Sequence, residues 1–403
     1  MPHSVPAPRH SPFLDALATC AEATPAWCAA SAGFLVLRLV DAAVPAPLGP
    51  GTWEVQAARR AVDELAPDTP HRAPLTAVLA SVQSPGDPIA LWDRLIAYGR
   101  ALEATADYAM ALDVYDSVLA RATFAGAPDT VLLAQYRRAT VCCTTGQWEE
   151  AEQHYAAVAS LAAQHHDRST LGRTQIGLAR VAFGRGNLQA SAALADQVIA
   201  AYADLPEVHS VALHQRAVLA GEAGDHARAI RLTYTALQHP IDAIDRDRLL
   251  HNLGIGFLRL GFWQVARDAF MVLSWQAQDA FTRHAALIAL LEVAGYERDA
   301  LRVAHLEQQI QPLELDPRHE VEFYLHLGKA HRLLGHEVRG QAALATALAR
   351  AEQYRLAALM FEVEGAQHEP VTHPVHGPAL LDDAVAEVAE AIGAMRESAL
   401  AAV

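Results

Sequence analysis

A glycine followed five residues later by a small residue recurs along the chain. The glycines are Gly146, Gly186, Gly224, Gly261, Gly295 and Gly335, followed by Ala151, Ser191, Ala229, Ala266, Ala300 and Gly340. The spacings are about 40, 38, 37, 34 and 40 residues. Four positions further stand Tyr155, Ala195, Thr233, Phe270, Ala304 and Leu344. A period of this size describes one supersecondary unit repeated in a stack, each unit covering an apolar flank of the next. A solenoid core grows along one axis, so a chain of 403 residues need not divide into the domains its length alone would suggest.

The fifth unit, LLHNLGIGFLRLGFWQVARDAFMVL, shows what the unit is. Leu250, Leu253, Gly254 and Phe257 lie on one face of a first helix, A. Trp263, Ala266, Phe270 and Leu273 form the facing stripe of a second helix, B. Gly261 suits the left-handed residue that ends helix A. Gly254 and Ala266 are small where the two helices cross. The first unit begins near Pro88; there Ala106 stands in for the turn glycine, and Tyr108, Ala111 and Tyr115 keep the pattern. The spacing of 34 marks the sixth unit as the irregular one.

These residues resemble the tetratricopeptide repeat (TPR) family, with its L-G, G-x-aromatic and A-x3-aromatic pattern. The likeness covers about residues 88–353, some seven repeats, and is degenerate in the third, fourth, sixth and seventh. It is similar to the looser arrays of bacterial signalling regulators. The resemblance implies an all-α, TPR-like α-solenoid: a right-handed superhelix of helix-turn-helix repeats. The flanks complete the expected layout. Residues 1–12 form a disordered arm rich in Pro and His. Residues 13–87 form an N-terminal helical cap, with helices over about 24–43, 52–65 and 74–82. Residues 354–403 hold C-terminal helices around a Pro/His loop at 365–378, and the last helix, about 380–402, caps the end of the stack.

The formal net charge of −15 disfavours sequence-independent nucleic-acid binding. The segment where a helix-turn-helix would lie, residues 13–85, carries few positive charges beyond Arg38, Arg59 and Arg60 and lacks the turn signature. The most apolar run, Ala26 to Val40, is shorter than the roughly 20 residues of a membrane span and contains Arg38. No secretory leader pattern opens the chain. Four cysteines without a CxxC pair indicate free thiols in a reducing compartment, so a cytoplasmic location is expected.

Catalytic signatures are absent from the sequence: it has no phosphate loop and no GxSxG elbow, and the His-Glu pairs at His319, His336 and His368 do not complete HExxH. No enzyme activity, cofactor or metal is expected. His368, His373 and His376, with Glu364 and Glu369, are read as a solvated polar loop.

The TPR resemblance implies binding of a protein or peptide in the groove lined by the A helices. Counting back from each turn, the candidate partner-binding residues are Tyr136, Arg137, Arg173, Arg180, His214, Arg248, His251, Asn252 and Arg259. Thr140, Ile176, Gln215, Val218, Ile255, His326, Lys329 and Arg332 occupy comparable positions. Asn252 stands out because asparagine is disfavoured mid-helix and only Asn187 and Asn252 occur in the chain. Arginines and histidines at these positions suit an acidic segment or a free C-terminal carboxylate. The expected role is a non-catalytic scaffold or adaptor in bacterial signalling. Two alternatives are a peptide-sensing transcriptional regulator and a self-associating structural subunit forming a homo-oligomer.

Overall fold

The computed structural model describes residues 10–42, 52–67, 69–83, 88–313, 315–354, 356–368 and 383–401. Every regular element among them is an α-helix. The chain forms two compact units, Met1–Ser191 and Ala192–Val403. The division falls in the third repeat.

The first unit opens with α1 (Ser11–Thr19), α2 (Pro25–Ala42), α3 (Trp53–Asp63) and α4 (Arg72–Gln83). The pairs α5 (Pro88–Ala104) with α6 (Tyr108–Ala125) and α7 (Pro128–Thr144) with α8 (Trp148–Gln164) follow, then α9 (Arg168–Gly184). Helix α10 (Leu188–Ala201) crosses the boundary. The second unit holds α11 (Pro206–Glu222), α12 (His226–Leu237), α13 (Ala243–Arg259), α14 (Trp263–Gln276), α15 (Ala280–Tyr296) and α16 (Ala300–Ile310). It ends with α17 (Pro317–Leu333), α18 (Glu337–Gln353), α19 (Ala357–His368) and α20 (Asp383–Leu400). Odd-numbered helices from α5 to α19 are the A helices, and even-numbered ones from α6 to α18 are the B helices. The chain is a degenerate TPR-like array of such pairs.

Each A helix hands over to its B helix through the same turn. Ala106, Gly146, Gly186, Gly224, Gly261, Arg298 and Gly335 all have φ between 54° and 82°. In every case the next residue donates its N–H to the carbonyl five residues before it, at 2.8–3.0 Å: Gln147 to Cys142, Phe262 to Phe257, Asp299 to Ala294. This closure satisfies carbonyls that the helix end would otherwise leave open. The aspartates Asp225 and Asp299 then cap the next helix, accepting from Arg228 and Arg302 N–H at 3.0 and 2.9 Å.

The sixth turn corrects the sequence reading. The left-handed residue is Arg298, so Gly295 is not a turn glycine and Ala300 and Ala304 are exposed. The buried residue five after the turn is Val303. The repeat is not short: the turns at Gly261, Arg298 and Gly335 are evenly spaced. Gly295 lies inside α15 and has a different task. A Cβ there would stand 2.8 Å from the Cα of Ala330, so the bare glycine lets α15 and α17 cross backbone to backbone. In the neighbouring pairs a glycine instead receives a large side chain. Added Cβ atoms on Gly254 and Gly328 would lie 2.6 and 2.7 Å from Phe270 and Leu344, both buried.

At the N-terminal end α2, α3 and α4 share a core of Val36, Leu37, Val55, Val62, Leu75 and Val78. α2 is the one described helix long and apolar enough to cross a membrane by length and composition, and much of it packs on α1, α3 and α4. Helix α1 begins at Ser11, inside the stretch expected to be disordered, and His10 just before it is buried. His10 Nδ1 meets Asp113 of α6 at 2.5 Å and its Nε2 meets Asp41 of α2 at 3.2 Å. Burial alone would lower the His10 pKa, but the two carboxylates outweigh it and raise the group to about 9. Residues 1–9 lie outside the described residues.

At the other end, α19 runs to His368, into the segment expected to be a loop, and pairs with α18. His373 and His376 lie outside the described residues. Helix α20 does not cap the stack behind α19. It packs on the B helices α12 and α14 through Val385, Val388 and Ile392, and Arg396 bonds both carboxylate oxygens of Asp268 at 3.1 Å. The physical reason is its apolar stripe: Val385, Val388 and Ile392 join the same core as Ala266, Phe270 and Leu273 of α14.

Candidate functional site

The A helices present their packed stripe to the B helices, which leaves a second face carrying polar side chains. The candidates in the first unit are Tyr136, Arg137, Thr140, Arg173 and Arg180, and Thr140 Oγ1 lies 3.4 Å from the Tyr155 hydroxyl of α8. Tyr136 packs edge-on against Tyr155, with ring centroids 6.0 Å apart. Arg137 lies 4.0 Å from Glu103, which also accepts a hydrogen bond from the Tyr115 hydroxyl. Arg180 acts on the Cys143 thiol and the Tyr155 hydroxyl, and Arg173 on Asp167. Neither Arg173 nor Arg180 forms an ion pair among the described residues. Ile176, a groove candidate, belongs to the core at 1% exposure.

The second unit links its A helices by side chains. Asn252 of α13 donates through Nδ2 to His214 Nε2 of α11 at 2.5 Å. Its neighbour His251 packs its ring on Phe270 at 5.5 Å between centroids. Burial lowers the His251 pKa to about 4, so the ring is neutral near pH 7. It keeps some solvent exposure by surface area, yet protein packs closely round the ring, and that packing is what disfavours the cation. Gln215, another candidate, is buried.

Further along, the carboxylate of Glu292 on α15 is the hub. It is 2% exposed. His326 Nδ1 of α17 stands 2.7 Å from Oε2, out of line for a hydrogen bond, so the contact is electrostatic. The Tyr296 hydroxyl donates to Oε1 at 3.2 Å, and Arg259 of α13 approaches to 4.0 Å. Burial alone would raise the Glu292 pKa. His326, Lys329 and Arg259 together hold it well below the usual carboxylate range. The same carboxylate, with burial, pushes the Tyr296 phenol up to about 12. Lys329 then reaches Glu362 of α19 at 3.0 Å. Side-chain links thus run from α11 to α13 and from α13 through α15 and α17 to α19.

Of the candidates in this unit, His214 and Asn252 form one bonded pair, with His251 next to Asn252 in sequence, and Arg259 leads to Glu292. Arg248 does not join them: it is exposed and pairs with Asp245 of its own helix at 3.5 Å. Arg332 is tied to Glu337 at 3.0 Å and to the Ala366 carbonyl. Glu292 and Glu362 escaped the sequence reading. The available signal was a single acid within the apolar run ALIALLEVAGY. No cluster of three potential metal ligands occurs among the described residues.

No family model and no curated protein matches the chain. Solved structures do. BtubC (BKLC) from P. vanneervenii aligns with 62% of this chain and 94% of its own, at 15% identity and a TM-score of 0.37. The apo form of the quorum sensor NprR from B. thuringiensis aligns with 83% of this chain and 96% of its own, at 14% identity and TM-score 0.43. A Rap protein complexed with competence and sporulation factor aligns with 91% and 99%, at 12% identity and TM-score 0.43. Likenesses this distant carry no functional argument, and the TPR-like character of the chain stands on its own repeated turns and helix pairs.

Proposed function

We propose that the chain is a non-catalytic adaptor that binds a protein or peptide segment on the polar face of its A helices. The single observation behind this reading is the polar line across α11, α13, α15, α17 and α19. A stack that only had to hold itself together would gain little from it. Buried ionic groups are costly to desolvate and seldom add net stability, whereas partly exposed donors and acceptors on a rigid scaffold suit recognition of a backbone and its charges. The exposed guanidinium of Arg259 on this face favours an acidic segment or a free carboxylate within an otherwise acidic molecule. A cytoplasmic signalling or regulatory setting fits the free cysteines and the lack of catalytic motifs.

The test is co-purification from the native host. Full-length chain carrying H251A, N252A and R259A together should lose its partner while staying folded, as shown by a cooperative thermal unfolding transition above the temperature of the assay. Retention of the partner at wild-type yield would refute the binding face.

A further inference from the structure

Resting on that binding face, the Glu292 hub points to how the face is held before a partner arrives. An ionised carboxylate withdrawn from water costs several kcal/mol unless its surroundings compensate. At Glu292 the compensation comes from Tyr296, His326, Arg259 and Lys329. The arrangement is one-sided. The anion is 2% exposed, while the side chains of Arg259, His326 and Lys329 remain 46%, 16% and 22% exposed. Arg259 sits 4.0 Å from the carboxylate, beyond hydrogen-bond length, and Oε2 accepts no hydrogen bond among the described residues. Arg259 and Lys329 face the carboxylate and stay partly open to solvent.

We propose that Glu292 is an internal counter-anion, and that an acidic partner segment binds by competing with it for Arg259. A basic partner is not favoured. Glu292 is too buried to reach it, the exposed Arg259 beside it carries the wrong sign, and the nearby Glu362 is already paired with Lys329. The resting role of Glu292 is then to keep these side chains positioned while lowering the positive potential they offer to stray anions. Removing its charge should make the face a stronger anion binder.

The experiment titrates fluorescein-labelled oligoglutamate and oligolysine onto the full chain at low salt, for wild type, E292Q and E292M. Thermal unfolding establishes that each variant is folded; if E292Q is not, E292M makes the same test with an apolar side chain. Oligoglutamate should bind E292Q about tenfold tighter than wild type, since one fewer competing charge faces it. Adding R259A should erase the gain. Unchanged or weaker oligoglutamate binding, tighter oligolysine binding, or no binding of either peptide would overturn the proposal. If E292Q shows no gain while the H251A/N252A/R259A protein still loses its native partner, the counter-anion idea fails and the binding face stands.

Discussion

Asn252 and His214, 38 residues apart in sequence, meet at 2.5 Å and join the A helices of two consecutive repeats. The asparagine's position mid-helix is intrinsically unfavourable, and this bond is its structural return. Asn252→Ala should therefore act twice. It strands the His214 ring, costing about 1–2 kcal/mol of unit stability, and it weakens partner capture. Asn252→Asp tests the polarity of the link, because Nδ2 is the donor to His214. An aspartate cannot donate there, so it should be no better than alanine in denaturant unfolding. Wild-type stability in both variants would show that the link is incidental.

Gly295 and Arg298 exchange the roles that spacing suggests. With Ala330 Cα so close, Gly295→Ala should force α15 and α17 apart and destabilise the second unit by about 1–3 kcal/mol. Ala106, at φ 62°, is an alanine in a left-handed turn. Ala106→Gly should stabilise the first unit by about 1 kcal/mol, because glycine relieves the left-handed strain. Chemical denaturation of both variants checks the pair. Stabilisation by Gly295→Ala would contradict the close α15–α17 crossing, and destabilisation by Ala106→Gly would contradict the left-handed first turn.

The buried histidines of the first unit give its stability a two-sided pH dependence. His10 titrates near 9 in the folded state and near 6.5 unfolded, so its contribution is complete below about 6.5 and fades as pH rises through 9. It amounts to something on the order of 3 kcal/mol. His71 behaves oppositely: burial lowers its pKa to about 4, so stability falls as pH drops from about 6.5 toward 4. His10→Ala should flatten the alkaline limb of a stability-pH curve and leave the acid limb. An unchanged alkaline limb would remove His10 from the account.

Helix α20 is held by a modest apolar stripe and one arginine–aspartate pair. Ile392→Asp should release it from α14, because a charge cannot sit at that fully buried position without a partner. Limited proteolysis should then cut before α20 while the rest of the second unit stays resistant. Simultaneous degradation of the whole unit would mean that α20 is integral to the core.

The repeats were legible because a left-handed turn usually selects glycine, and five of the seven turns use it. Ala106 was readable from its neighbours. Arg298 was not, since nothing in an arginine announces positive φ, and Gly295 nearby supplied a false marker. Asn252 was visible through its rarity and its position. Glu292 was not, because periodicity identifies apolar faces and gives no reason to expect a charge among them. His10 and α20 depend on contacts 103 and 128 residues away in sequence, Asp113 and Asp268, beyond the reach of local pattern.

Hydrogen exchange on the full chain, with and without its co-purified partner, tests the central claim most directly. Binding on the A-helix face predicts added protection in α13, α15 and α17, centred on residues 251–259 and 288–296, with α14 and α18 unchanged. Protection confined to the B helices or to α20 would contradict it.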